Sequence, residues 1–289
     1  MKIIKYTGLI FIPIIIFVSC LKNNHREFTE KLFPDSNSNS EDYKAIQKSD
    51  SNNIEKKVLE FYIGETKVNI LVLKKYCPIN VLYFNMHENE NTSVQAGIKN
   101  IEKYGGTLIA FKTNGKREIS FSISGNQFSV DPNRIFTNIG IKKTLEYYGN
   151  YSNEAKNALL HFTEQFMDSL FKDRDLIIVA LHNNTNNNLS INSYKKGEMF
   201  FNDAAEYYQN NNNDIDDFIY VTDKIYYDKL KKRNINVVLQ NNEAVNDDGS
   251  LSVYCRNFRI PYLNIEAEHG HFNTQVDMLK NVYEMLLEK

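Results

Sequence analysis

The chain is expected to fold as an α/β protein in which a central mixed, largely parallel sheet is flanked by helices in a single domain. Three features carry that expectation. From Lys57 onward short apolar runs alternate with amphipathic stretches, the pattern of strands exchanging with helices along one chain. The 289 residues are 42% hydrophobic and 24% charged, which is ample for one large core. Only 12 Gly and 5 Pro interrupt it, while Asn-rich stretches such as Asn183–Asn188 and Asn210–Asn213 mark loops. A formal net charge of -2 offers no reason to expect nucleic acid as a partner, since that binding needs a concentrated basic surface.

Residues 1–19 read as a secretory signal: Lys2 and Lys5 give a positive start, and Leu9–Val18 is apolar but shorter than a usual membrane span. The tetrapeptide Phe17-Val18-Ser19-Cys20 is similar to a bacterial lipobox, with Phe where Leu is usual, so Cys20 is the expected lipidation site. An uncleaved membrane anchor is the alternative reading. Either way the domain is expected outside the cytoplasm, and the lipobox makes it an envelope lipoprotein attached to the membrane through its N-terminal lipid. Residues 20–55 are polar, with Asp35–Ser40 and Ser49–Asn53 as examples, and read as a flexible tether. Residues 56–289 read as the catalytic domain.

Within that domain the apolar runs predict strands at Val68–Leu73, Asn80–Phe84, Thr107–Phe111, Leu176–Leu181, Phe218–Val221, Asn236–Gln240 and Tyr262–Ile265. Amphipathic spacing predicts helices at Ser93–Tyr104, Asn153–Phe171, Ala204–Gln209, Lys224–Lys232 and Phe272–Leu287. Thr92 stands where it can cap the first of these, and Glu118–Ile123 is strand-like. Cys77 and Cys255 can pair or remain separate small buried residues, and neither has a Cys or His nearby at metal-ligand spacing.

The chemistry gathers at strand ends. His87 and Glu90, in Met86-His87-Glu88-Asn89-Glu90, follow one strand and precede a helix; His182 ends Leu176–Leu181, and Glu266 ends Tyr262–Ile265. Ligands of open α/β sheets collect at the carboxyl ends of strands, so distance in sequence does not keep these residues apart. Two imidazoles and a carboxylate are a catalytic zinc set, because they leave a fourth position open. Taken singly, the His-x-x-Glu pair reads equally as a solvated loop and His182 as a strand-end histidine bonded to backbone. Asp131-Pro132-Asn133-Arg134-Ile135-Phe136 sets a carboxamide beside a guanidinium, suited to gripping a carboxylate, or else forms a Pro turn with a surface ion pair. Arg117, after Asn114-Gly115, is a surface charge unless a site recruits it.

In this order, from approximately Tyr83 to Gln275, these motifs resemble the M14 zinc carboxypeptidases. The resemblance implies one zinc ion per chain held by His87, Glu90 and His182, with Arg117 polarising the scissile carbonyl and Asn133 and Arg134 binding the substrate's terminal carboxylate. It implies Glu266 as general base and acid, or Glu268, which two residues along the strand points to the same face. Tyr254 is the best candidate for the family's active-site Tyr, beside its plainer reading as a core residue. Two departures stand out. Pro132 replaces the usual Leu, and His87-Glu88-Asn89-Glu90 is closer to the His-Gly-Asn-Glu of the related aspartoacylase and succinylglutamate desuccinylase branch. With the three-ligand set complete, His269 and His271 read as supporting or loop residues.

The implied activity is zinc-dependent hydrolysis of an amide bond next to a free carboxylate. A metallocarboxypeptidase at the bacterial envelope, with peptidoglycan stem peptides close at hand, is the leading expectation. A deacylase of N-acyl amino acids is the nearest alternative, and a non-catalytic surface binding lipoprotein is the alternative of another class.

Overall fold

Val81–Asn85 is buried at every position, which a strand achieves only when both faces of its sheet are covered. This segment is β3 in the computed structural model, which describes residues 53–170 and 175–288. Before it come β1 (Glu55–Ile63) and β2 (Thr66–Lys75); after it come α1 (Asn91–Tyr104), β4 (Gly106–Lys112), the hairpin β5 (Ile119–Ile123) and β6 (Asn126–Val130), α2 (Asn138–Tyr147) and α3 (Asn153–Leu170). The chain continues through β7 (Ile177–Asn184), β8 (Ala204–Tyr208), β9 (Phe218–Val221), α4 (Lys224–Lys232), β10 (Val237–Gln240), α5 (Leu251–Phe258), β11 (Tyr262–Glu268) and α6 (Phe272–Leu287). The large sheet has the order β1-β2-β4-β3-β7-β11-β9-β10-β8.

The four strands β4, β3, β7 and β11 run parallel, while β1, β2, β8 and the β11–β9 pairing are antiparallel. The sheet is therefore mixed with a parallel centre, and helices cover it, as the alternation of apolar runs with amphipathic stretches predicts. On one face Phe84, Phe111 and Ile178 meet Phe162 and Phe166 of α3 along with residues of α2 and α5, the aromatic rings packing edge to face. On the other face α1 comes so close that Gly97 is tucked against Leu108 and Leu181, and α6 lies beside it. Alternate residues of one strand thus serve two cores.

The signal segment, Cys20 and the tether through residue 52 lie outside the described residues. Glu55 of β1 falls inside the segment expected as tether; pairing with β2 along its whole length draws it into the sheet. No helix among the described residues is long and apolar enough to cross a membrane. The helix expected at Ala204–Gln209 is instead the edge strand β8, paired with β10 across a bulge at Leu239/Gln240. Six residues make too few internal hydrogen bonds to stand as a helix on their own, whereas a free sheet edge supplies partners at once. Helices α2 and α5 were not expected, and Cys77 and Cys255 are both free thiols.

Two glycines fix the approach to the site. Gly249 has φ +82°, and a Cβ on either Gly249 or Gly140 would collide with the other's backbone and with the Arg134 carbonyl. Phe136 N–H then donates to the Gly249 carbonyl at 3.0 Å, pinning the loop before α5 to the turn that carries Asn133 and Arg134. Gly140→Ala is expected to lower unfolding stability by about 1–3 kcal/mol through this overpacking, measured as a lower midpoint in urea. An unchanged midpoint would mean that the two loops do not depend on their contact.

Candidate functional site

Glu90 occupies the residue before α1, yet its side chain makes no capping bond to the helix. Its carboxylate turns to two imidazoles instead: Oε1 lies 2.8 Å from His87 Nδ1 and Oε2 lies 3.0 Å from His182 Nδ1. Arg117 Nη1 donates to Oε1 at 2.7 Å, and the Asn183 backbone N–H donates to Oε2 at 3.2 Å. His87, Glu90 and His182 are at most 4% exposed, so water cannot compensate their charges and each depends on the others. Thr92, expected as the cap, lies inside α1, where its hydroxyl accepts the Gly270 N–H at 3.0 Å.

The strand ends bring the set together. His87 follows β3, His182 lies in β7, and β3 and β7 are parallel neighbours. Glu266 in β11 is the register partner of His182, which sets it on the same face of the sheet at the same depth. The outer nitrogen of His87, Nε2, is held by Asp131 Oδ1 at 2.8 Å, and Asp131 in turn accepts the Asn133 N–H and pairs with Arg117 Nη2 at 3.4 Å.

That leaves one ring nitrogen on each histidine unsatisfied. His87 Nδ1 is close to Glu90 but out of line for a hydrogen bond, and His182 Nε2 has no partner at all. Buried polar atoms without partners are rare because their desolvation is uncompensated. One ligand atom from each of His87, Glu90 and His182 also lies within 4.8 Å of the other two. The donor set, its burial and its orphaned nitrogens fit a divalent cation of the zinc type.

The carboxylates dominate the electrostatics of the cluster. Burial alone would depress the pKa of His87, but the Glu90 and Asp131 carboxylates on either side outweigh it and raise the value to about 9. For Glu90 burial acts in the opposite sense and is overcome by His182 and His87, which hold its carboxyl well below the usual range. Glu266 differs: burial pushes its carboxyl up, opposed by the His182 charge and reinforced by Glu90. Its Oε1 accepts from Asn264 Nδ2 at 2.9 Å. A carboxyl raised by burial and set beside a donor cluster is placed to exchange a proton there.

Glu268 is directed elsewhere. Its carboxylate lies 3.8 Å from His271 Nε2, and its backbone N–H donates to Asp217. Asp214, Asp217 and His271 form a second group with ligand-like spacing, but His271 Nδ1 and Asp217 already bond each other at 3.0 Å and Asp214 is exposed. His271 is thus engaged by Asp217 and Glu268 at the start of α6.

The expected carboxylate clamp lies beside the cluster. The Asn133 side-chain oxygen accepts the Leu251 N–H at 3.1 Å, at the start of α5, and Arg134 Nη1 donates to the Asn133 carbonyl at 2.8 Å. Arg134 Nη2 meets Asp248 at 3.5 Å with both side chains more than a third exposed, a weak pair that a ligand anion can displace. Tyr254 is not brought to this group. Its ring packs on Phe136 and Phe258, and burial raises its hydroxyl pKa.

Two further residues escaped sequence reading. Glu88 pairs with Lys112 at 2.6 Å and accepts the N–H groups of Thr113 and Gly115, so it anchors the turn leading to Arg117. Tyr194 rests on Phe218 and Tyr220 of β9, the strand next to the one that carries Glu266. Glu88 sits inside the ligand motif, a positional hint; nothing in the sequence singles out Tyr194.

No family model matches the chain, and no curated protein matches it in sequence. Solved structures do. A protein described as a metallopeptidase from Shewanella amazonensis is 14% identical, with 85% of this chain and 90% of that one covered and a TM-score of 0.42. A protein described as a carboxypeptidase from Burkholderia mallei is 10% identical, with 86% and 68% covered and a TM-score of 0.43. Bovine thrombin-activatable fibrinolysis inhibitor, solved with a tick carboxypeptidase inhibitor, is 12% identical, with 93% and 95% covered and a TM-score of 0.44. At such identities and scores the reading of the site rests on its own residues.

The purified protein is expected to bind about one equivalent of zinc, more weakly as the pH falls because protons compete for the same donors. His182→Ala is expected to lose that equivalent while keeping its circular dichroism spectrum. Unchanged metal content in the variant, measured by atomic emission, would show that His182 is not a ligand.

Proposed function

We propose that this chain is a metal-dependent hydrolase that cleaves an amide bond adjacent to a free carboxylate, most simply a metallocarboxypeptidase. The single observation that carries the reading is the buried His87–Glu90–His182 set with an unsatisfied nitrogen on each imidazole, flanked by Glu266 and by the Asn133–Arg134 pair. His87, Glu90 and His182 would hold a zinc ion. When bound, the ion supplies Lewis acidity that polarises a carbonyl and acidifies water.

The chain's own groups supply the rest. Glu266, with its carboxyl raised by burial, accepts a proton from water as the water oxygen bonds to the amide carbon; it returns that proton to the amine as the C–N bond breaks. Arg117, whose guanidinium is held by Glu90 and Asp131, donates to the oxygen on which negative charge develops. Asp131 keeps the His87 ring fixed through Nε2, the supporting role that orients a ligand imidazole. Asn133 has its carbonyl oxygen engaged by Leu251, which leaves the amide NH2 to join Arg134 in gripping the substrate carboxylate.

The same proposal assigns the protein to the bacterial envelope as a lipoprotein modified at Cys20, on the strength of its first twenty residues. Stem peptides of peptidoglycan then become natural substrates, because they are nearby and end in carboxylates. A deacylase acting on small N-acyl amino acids is the second reading, favoured by His87-Glu88-Asn89-Glu90. Assay of the zinc-loaded protein on free peptides, muropeptides and acyl amino acids separates the two.

Glu266→Gln should keep zinc and lose turnover by about 10²–10⁴-fold, since it removes the proton acceptor and leaves the ligands intact. Glu268→Gln should change turnover little, and the reverse ranking would transfer the role to Glu268.

For Arg134 the comparison is between a free-acid substrate and its C-terminal amide. Wild type should cut the amide poorly, and Arg134→Ala should cost the free acid at least about tenfold in kcat/KM with a smaller loss on the amide. Equal losses on both would make Arg134 a structural residue.

A further inference from the structure

Gln275 is fully buried in α6, far along the chain from every residue of the proposed metal set, yet it binds the strand that carries one of them. Its Nε2 donates to the His182 carbonyl at 3.0 Å, and its Oε1 accepts from Asn183 Nδ2 at 3.0 Å. Asn183 extends the connection in three directions. Its Oδ1 accepts the Ser93 N–H of α1 at 2.8 Å, its Nδ2 also reaches the Ala267 carbonyl of β11 at 3.3 Å, and its own backbone N–H donates to Glu90 Oε2.

The strand pleat explains the arrangement. His182 and Glu266 face the cleft, and the residues next to them, Asn183 and Ala267, face the opposite side, where α6 packs. One carboxamide on that side therefore grips the back of β7 directly and, through Asn183, reaches β11 and the segment between Glu90 and Ser93. Every polar atom of the Gln275 side chain is used in doing so, as a buried carboxamide requires. Among the described residues this is a direct polar link from a helix behind the sheet to the carbonyl of His182.

We propose that Gln275 is a positioning residue for the metal centre: by fixing His182 and Asn183 it sets where the His182 imidazole and the Glu90 carboxylate point. This rests on the reading of His87, Glu90 and His182 as metal ligands. Gln275 touches neither metal nor substrate and acts wholly through the strand ends. Partners that orient metal ligands carry roughly 10–100-fold in metal affinity when removed.

The test measures zinc affinity of the full chain by competition with a chromophoric chelator, together with the zinc-induced rise in Tm, so that a less stable variant still reports. Gln275→Met keeps the length of the side chain and removes both bonds; Gln275→Glu keeps the acceptor for Asn183 and removes the donor to His182. Met278→Ala, a cavity in the same helix among its buried residues, controls for general loosening, and His182→Ala controls for the ligand set. Gln275→Met is expected to weaken zinc by 10-fold or more and Gln275→Glu by less, while Met278→Ala lowers Tm and leaves affinity within about twofold.

Wild-type affinity in both Gln275 variants, or an equal loss in Met278→Ala, would overturn the positioning role. Retention of zinc by His182→Ala would instead overturn the ligand assignment itself, so the two failures are distinguishable.

Discussion

Everything at the site depends on where the Glu90 carboxylate points. A residue at the start of a helix ordinarily turns its side chain back onto free N–H groups; Glu90 forgoes that bond and is shared instead among His87, His182, Arg117 and the Asn183 N–H. Glu90 itself is only 4% exposed, so loss of a buried partner leaves its charge uncompensated, at a cost of about 3–5 kcal/mol. The carboxylate therefore binds together the ends of β3 and β7, the start of α1 and the turn that delivers Arg117. Four separate pieces of chain are held in register by one group.

The sheet makes that convergence possible. Four parallel strands buried on both faces end at one edge, and their last residues are where the polar groups appear: His182 and Asn183 after Ala180 and Leu181, Glu266 after Ile265. The pleat then divides these polar residues between two sides. Those facing the cleft are available for chemistry, and those facing α1 and α6 tie the strand ends to the helices behind. A rigid back and a polar front are consequences of the same alternation, and a site on such strand ends is held more firmly than one carried by loops.

Around this frame the loops contribute charge with different degrees of freedom. Arg117 is anchored through two carboxylates and its turn through Glu88, whereas Arg134 is fixed by its backbone and only weakly paired with Asp248. An Arg already satisfied by buried anions suits a fixed electrostatic task, and an Arg with a displaceable partner suits the capture of a ligand anion. Gly140 and Gly249, in contact with each other, let the Asp248 loop lie directly against the Asn133–Arg134 turn.

Much of this was legible in the residues alone. Apolar runs located the central strands, and the positions of His87, His182 and Glu266 at their ends implied a shared crevice, because a strand's periodicity and its terminus are local properties. What pairing decides was not legible. The segment from Ala204 became an edge strand because β10 offered it hydrogen bonds, and Glu55 joined the sheet through β2. Glu266 and Glu268, equivalent by spacing, were separated by depth: one lies opposite His182 under the cleft, the other reaches His271 at the rim. Tyr254 packs half-buried against the core through α5, and Gln275 met His182 only because α6 crosses behind β7. Sequence determined which residues could form strands, helices and a donor set; the tertiary structure decided which of them meet, since register, burial and helix placement arise from contacts between segments that no local pattern encodes.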